Sequence, residues 1–215
     1  MELEKILIIG GTGFIGSHLA EYLVQNNFEV VVLDNLSMGN KLVFKGADKI
    51  NLIIGDVRDL ETVLRASQGC SRIVHLAAIV GVEVVMENAF DLVETETIGT
   101  YNVVHAAKKN NVKKLLYASS SAVYHKLYSN FSRETDRLGL HNTYAVAKHL
   151  NEKYLQALTD EFGIQTNSMR FFNVYRGRQD TRMVIPRFFK QAMTNKPIEI
   201  FGNGHQTRDL PTSTT

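Results

Sequence analysis

Residues 6–16 read Ile6-Leu7-Ile8-Ile9-Gly10-Gly11-Thr12-Gly13-Phe14-Ile15-Gly16, and apolar residues then recur at helical spacing as far as residue 26. Four aliphatic residues in a row suit a strand buried on both faces. Glycines at 10, 13 and 16 let the chain turn sharply and let a bulky anion reach the backbone with no Cβ in the way. The helix that follows aims its first, unbonded N–H groups at the same place. A second apolar run ends at Asp34, 18 residues past Gly16. At that spacing a carboxylate can hold both hydroxyls of an adenosine ribose, and it would repel a 2′-phosphate, so the pattern points to NAD rather than NADP. A glycine-rich turn that merely packs a helix on a strand would use some of the same residues. Here strand, loop, helix, strand and acid follow in the order a dinucleotide requires.

The rest of the chain repeats the alternation. Short apolar runs predict strands over 6–9, 30–33, 51–54, 73–76, 115–118 and 166–171, and helical periods fill the gaps at 15–26, 60–66, 92–110, 141–162 and 186–195. Strands rich in Ile, Val and Leu on both faces, separated by helices, predict an α/β fold: a doubly wound parallel sheet of Rossmann type. Residues 1–165 are expected to form the dinucleotide-binding domain, and 166–215 part of a substrate-binding portion that would be marginal alone. The polar, aperiodic stretch 124–142 reads as a long loop of functional kind.

Composition narrows the classes. The chain has 215 residues, 44% of them hydrophobic and 21% charged, which excludes disordered and repetitive proteins. Its net charge of +2 hides an asymmetry: residues 1–100 carry 7 Lys and Arg against 14 Asp and Glu, and residues 101–215 carry 17 against 8. The basic half has no Lys/Arg-rich block; nucleic acid or a small anion held by a few arginines would each suit it. The lone Cys70, the acidic start MELEK and the absence of a long apolar run point to a cytoplasmic protein without a membrane partner. No metal is expected.

Chemistry gathers at the ends of the later strands. Asp56 follows the third strand, where it can meet an adenine amino group or cap the next helix. His75 is expected to be structural, and Leu76, Ala77 and Ala78 leave room for a cofactor to pass close to the chain. The fifth strand ends in Ser119-Ser120-Ser121, and Tyr144 and Lys148 follow at i and i+4 on one helix face. An ammonium beside a phenol favours the phenolate, which suits proton removal from an alcohol coupled to hydride transfer.

These residues together resemble the extended short-chain dehydrogenase/reductase family, and within it the NAD-dependent nucleotide-sugar epimerases, dehydratases and decarboxylases. The likeness spans residues 3 to about 209 and rests on GGTGFIGSHLAEYL, VVLDNLS, GDVRD, HLAA, ASSSAVY, YAVAK, RFFNVY and IEIFGNGHQTRD. By that resemblance Gly10, Gly13, Phe14, Ile15 and Gly16 bind the pyrophosphate of NAD, Asp34 and Asn35 its ribose, and Asp56 and Val57 flank the adenine. Leu76, Ala77 and Ala78 also line the cofactor. Ser120, Tyr144 and Lys148 are the implied catalytic residues: Tyr144 the base, Lys148 its electrostatic partner and ribose ligand, Ser120 a substrate-holding hydroxyl. Phe172 would lie by the nicotinamide. Asn173 and Arg208 would hold a nucleotide diphosphate, with a strand over 198–201 beside its base. A UDP-sugar, a small anion, is the implied substrate, with no nucleic-acid partner, and a homodimer paired through the helices 92–110 and 141–162 the implied assembly.

Several positions depart from the pattern. Ala122 stands where decarboxylases and dehydratases carry a glutamate, and a methyl group transfers no proton. Around it, VGVEVVMEN, FSRETDRLGL and RMVIPRF are nonetheless closer to decarboxylases. His125 replaces a glycine, Arg176-Gly177 a Gly-Pro pair, and Glu96 an asparagine that often precedes Gly99-Thr100. The family runs on for about 100 residues past Asp209. The expected activity is 4-epimerisation of a UDP-sugar through a transient 4-keto intermediate. The alternatives are decarboxylation or dehydration by the same opening oxidation, or a shortened NAD-binding module without full activity.

Overall fold

In the computed structural model, which describes residues 3–38, 44, 49–79, 89–124, 132–200 and 202–205, the aliphatic run becomes β1 (Lys5–Ile9), and the glycine loop leads into α1 (Phe14–Gln25). β2 (Glu29–Asp34), β3 (Ile50–Ile54), α2 (Leu60–Ala66), β4 (Arg72–His75), α3 (Ala89–Lys109), β5 (Lys114–Ser120), α4 (Thr143–Phe162), β6 (Gln165–Phe171) and α5 (Val184–Met193) follow in chain order. The six strands form one sheet in the order β3-β2-β1-β4-β5-β6. The pairings β1–β2, β2–β3, β1–β4 and β4–β5 are parallel. The strand order reverses between β1 and β4, which opens a crevice at the carboxyl ends of these strands, where ligands of such sheets bind. The doubly wound α/β expectation is met.

Two apolar layers explain why the central strands carry no polar face. Leu7, Ile9, Val31, Leu33, Ile73, Leu115 and Tyr117 face Val63 of α2, Val103 and Ala107 of α3, and Leu155 and Leu158 of α4. The alternate residues Ile6, Ile8, Val30, Val32 and Val74 face Ala20 and Leu23 of α1. Most residues of β1 and β2 therefore leave water on one side of the sheet or the other. At roughly 1.5–3 kcal/mol per large aliphatic side chain, this burial is the main force fixing the strand order.

Caps set the helix ends. The Asn142 side chain accepts a hydrogen bond from Ala145 N at 2.8 Å, so α4 begins at Thr143 rather than at 141. Gly163, at φ +69°, ends α4 in the left-handed conformation that glycine reaches most easily. The chain divides into two units, Met1–Arg170 and Phe171–Thr215. In the second, α5 buries none of its residues. No strand forms over 197–200, contrary to the expected element at 198–201, whose last residue lies outside the described set. Among the described residues this short run has no paired neighbour of the kind an apolar stretch needs to become a strand. Of the loop expected over 124–142, residues 125–131 lie outside the described residues; Tyr124 and Leu138 pair in a single antiparallel bridge.

Candidate active site

The glycine loop is tight for reasons its own atoms make plain. Gly10 N donates to Leu33 O at 2.8 Å, and Gly10 itself sits at φ +80°. A Cβ there would lie 2.7 Å from Ala77 N, and one at Gly16 would lie 2.6 Å from Gly11 Cα. At Gly13 the nearest atom would be Gly10 O, 3.3 Å away. Gly13 caps α1 with no side chain, so the first N–H groups of the helix face outward uncapped. Thr12 is buried, and among the described residues its Oγ1 has no hydrogen-bond partner. Such a cradle, shaped by missing Cβ atoms at a helix N-terminus, fits a pyrophosphate.

Asp34 ends β2 beside this loop. Its Oδ2 accepts from Thr12 N at 2.9 Å, and its Oδ1 from Leu36 N at 2.8 Å. Each oxygen keeps a second lone pair for a ribose hydroxyl. Asn35 Nδ2 donates to Asp56 Oδ2 at 3.1 Å, so the three polar residues expected at the adenosine end lie side by side. Arg58 grips Asp56 through Nε and a terminal nitrogen, each at 3.0 Å. That hydrogen bonding outweighs burial and holds the Asp56 carboxyl down at about 2. Asp56 does not cap α2: Asp59 does, accepting from Glu61 N at 3.1 Å. Val57 is buried, its carbonyl accepting from Asn102 Nδ2 at 3.0 Å.

At the carboxyl end of β5 the second group assembles. Ser120 is the last residue of the strand, and its Oγ accepts from Ala122 N at 3.2 Å, starting a single 3-10 turn over Ser121–Val123. α4 packs on both β5 and this turn. It brings Lys148 Nζ 2.8 Å from Ala118 O and 5.5 Å from the centre of the Tyr144 ring. Lys148 is 1% exposed, so its charge sits out of water. The partner that makes this tolerable is Glu96 on α3, itself 0% exposed, with Oε1 2.8 Å from Nζ. Burial alone would strip the lysine of its proton. Glu96, followed by Tyr117 and Tyr144, outweighs burial and holds the ammonium above the ordinary lysine range.

Residue-type reasoning did not assign Glu96 this place, although it marked the position as unusual. A signal was present: Glu96 falls on the helical stripe of Leu92, Gly99, Thr100 and Val103, where every other residue is apolar or small. A clamp below the serines also went unnoticed. Glu152 accepts from Ser119 Oγ at 2.5 Å and from Arg170 Nε at 2.9 Å. Burial works against the Glu152 charge, but the Arg170 and Ser119 hydrogen bonds hold its carboxyl below the usual range. The Arg170 guanidinium also lies 4.9 Å over the Tyr124 ring. This clamp ties β5, α4 and β6 together under Ser120.

His75 ends β4 at 1% exposure, its Nε2 3.3 Å from Thr100 Oγ1. Burial, aided by Lys148, pushes the imidazole down to about 3 from 6.5. The folded chain therefore keeps this ring neutral while an unfolded chain protonates it below pH 6.5. The stability this supplies is whole above that pH and is lost as pH falls toward 3, by up to about 1.4 kcal/mol per unit. Denaturant titrations between pH 6.5 and 4.5 should show that slope, and His75→Gln should flatten it. An unchanged slope in the variant would assign it to other groups. Asp56 and Glu152 act only lower, below their ordinary carboxylate values of 3.8 and 4.5.

Leu76, Ala77 and Ala78 continue from β4 past the glycine loop, with Leu76 N donating to Ile9 O at 2.8 Å. Phe172 and Asn173 lie near the start of the second unit, both exposed, and Arg208 lies outside the described residues. Among the described residues no cluster of three His, Cys, Asp or Glu side chains is placed to hold a metal ion, and no helix is long and apolar enough to cross a membrane.

Comparison with known proteins gives a consistent setting. The NAD dependent epimerase/dehydratase family matches residues 6–211. A UDP-N-acetyl-alpha-D-glucosaminuronate decarboxylase of Bacillus cytotoxicus is 36% identical over 214 residues, covering 95% of this chain and 66% of its own. A putative UDP-glucose 4-epimerase of Methanocaldococcus jannaschii is 32% identical over 210 residues, covering 95% and 68%. Among solved structures, the UDP-N-acetylglucosamine 4-epimerase of Methanobrevibacter ruminantium M1, in complex with UDP-N-acetylmuramic acid, superposes with a TM-score of 0.92 at 28% identity, over 99% of this chain and 70% of that one. The chain thus spans about two thirds of the length of the curated relatives it matches.

Proposed function

The chain belongs to the NAD dependent epimerase/dehydratase family, and from that premise we propose that it epimerises a UDP-sugar at C4 through a transient 4-keto intermediate. The observation that carries the reading is the buried ammonium of Lys148 beside the Tyr144 ring at the end of β5. An ammonium there stabilises a phenolate, the base that a sugar hydroxyl must meet before its carbon can lose hydride. Residues 1–165 form the NAD-binding domain and 166–215 part of the substrate-binding portion.

Gly10, Gly13, Phe14, Ile15 and Gly16 hold the pyrophosphate, Asp34 and Asn35 the ribose, and Asp56 and Val57 the adenine; Leu76, Ala77, Ala78 and Phe172 complete the cofactor's surroundings. Bound NAD supplies a reversible hydride acceptor. Tyr144 Oη takes the proton of the sugar 4-hydroxyl and later returns it, Lys148 stabilises the phenolate meanwhile, and Ser120 Oγ holds the substrate oxygen. Asn173 and Arg208 tether the nucleotide diphosphate while the ketosugar turns over.

Ala122 favours this outcome over decarboxylation or dehydration, because its methyl offers no acid next to the bond that would break. The 36% identity to a decarboxylase supports that second reading. A third reading is an NAD-binding module without full activity. One experiment separates all three: the purified chain with NAD is given UDP-glucose, UDP-N-acetylglucosamine and UDP-glucuronate in turn, and products are followed by NMR. Interconversion at C4 is expected. Carbon dioxide released from UDP-glucuronate would replace the first reading with the second, and NAD binding with no turnover of any sugar would leave the third.

A second copy completes the proposal. Ile98 and Tyr101 on α3, and Val146 and Leu150 on α4, are exposed apolar residues on two neighbouring helices. Pairing of such a face with its own image suits a homodimer, which native mass spectrometry reads directly. A cytosolic setting accords with a single cysteine, Cys70, that is buried.

A further inference from the structure

Glu96 and Lys148 are among the largest fully buried side chains of the molecule, and they meet each other. An ion left alone at such a place would cost several kcal/mol, so the presence of both charges requires the contact. Glu96 Oε1 lies 2.8 Å from Nζ, a charge-assisted contact between carboxylate and ammonium. The other oxygen is fixed by direction as well, since Tyr117 Oη donates to Oε2 at 2.7 Å and Asn151 Nδ2 at 3.3 Å. Asn151 Nδ2 also bonds the Glu96 backbone oxygen at 3.0 Å and Tyr117 Oη at 2.8 Å. The carboxylate is thus held from β5 and α4 at once.

Lys148 is held in turn. With one N–H on Ala118 O and one side of the ammonium on Glu96, a single donor remains for the Tyr144 side. The groups facing the pair are His75 from β4, Tyr117 from β5, Tyr144 and Asn151 from α4, and Thr100 on α3 itself, which meets His75. Glu96 is the carboxylate in contact with the lysine among the described residues.

We propose that Glu96 is a positioning residue of the proton-transfer site: it is the counter-ion that keeps Lys148 a buried ammonium and ties it at one spot between β5 and Tyr144, so that its charge stays on the phenol's side. The proposal rests on the reading of Tyr144 and Lys148 as the proton-transfer pair, but its central claim concerns the lysine alone. Without Glu96, burial has no opponent of comparable size, and the ammonium titrates within the range in which the enzyme would work.

The test uses the full chain with lysine labelled at Cε and no added ligand, the Lys148 resonance being assigned through Lys148→Arg. In the parent this resonance should keep its ammonium position at every pH at which the chain stays folded. In Glu96→Gln, which keeps an oxygen for Tyr117 and Asn151, it should titrate with a midpoint below the ~10.4 of an exposed lysine, a fall of roughly 1–3 units or more. Glu96→Asp, which retains the charge, should restore the flat behaviour in part.

A flat resonance in Glu96→Gln overturns the proposal. A parent resonance that titrates below pH ~10 overturns it with no variant needed, which covers the case in which Glu96→Gln does not fold. The pH profile adds a second readout: turnover of Glu96→Gln should fall away at high pH as Lys148 loses its proton, whereas a purely structural defect would lower turnover evenly. If the lysine behaves as stated but no sugar is turned over, the proposed function fails and the counter-ion role stands.

Discussion

Tyr144→Phe is expected to lower sugar turnover by roughly 10²–10⁴-fold, the usual worth of a positioned proton-transfer group, while leaving the fold and NAD binding as they are. The change removes one oxygen and keeps the ring that lies 5.5 Å from Lys148 Nζ. It unpairs no buried charge, because the ammonium keeps Glu96 and the Ala118 carbonyl. Lys148→Met is the contrasting case: it strands Glu96 in a site with no access to water, and a lone buried carboxylate costs about 3–5 kcal/mol. A collapse of activity in that variant would therefore report stability as much as chemistry. Steady-state turnover, a thermal melt and a calorimetric NAD titration on Tyr144→Phe separate the two effects. Turnover within about tenfold of the parent would mean that another group moves the proton.

The contrast between these two tyrosine and lysine changes shows which parts of the site a sequence can carry. Tyr144 and Lys148 stand out because i and i+4 on one helix fix their direction without knowledge of the rest of the fold. The strands stand out for a similar reason: a residue such as Ile8, buried between two helix layers, has no polar neighbour in sequence. Glu96 belongs to a different kind of information. Its meaning depends on Lys148, 52 positions later and on another helix; the apolar stripe it falls on marks it as buried without saying what it meets.

The same holds for the clamp of Glu152 and Arg170, and for Asp59 rather than Asp56 capping α2, where two acids three positions apart compete for one role. The stretch 198–201 shows the converse. Alternating apolar residues give it a strand's pattern, yet a strand is a relation between two segments, and no second segment pairs with it among the described residues.

Gly16→Ala should produce the other large effect, on NAD affinity rather than on turnover. In most helices the exchange would help by ~1 kcal/mol, since alanine is the better helix former. Gly16 lies in the first turn of α1, and there the sign reverses: the added methyl would sit 2.6 Å from Gly11 Cα and against the Gly10 carbonyl. Both obstacles are backbone, so neither can rotate away, and relief must come from moving the loop that Gly10 N anchors to Leu33 O. Strain of this kind typically costs ~1–3 kcal/mol. On the proposed reading, a shift of the loop would also turn the first N–H groups of α1 off the pyrophosphate. A loss of about 3 kcal/mol there corresponds to roughly 100-fold weaker NAD binding.

Gly163→Ala provides the comparison, because position 163 has φ +69° and nothing within 4 Å of an added Cβ. It should cost ~1 kcal/mol of stability through its left-handed backbone and leave the Kd for NAD unchanged. Calorimetric titration of the two variants beside the parent decides the matter. Equal NAD affinity in Gly16→Ala and Gly163→Ala would mean that the crowding at Gly16 serves helix packing alone, and that the opening glycines do not form the cofactor's cradle.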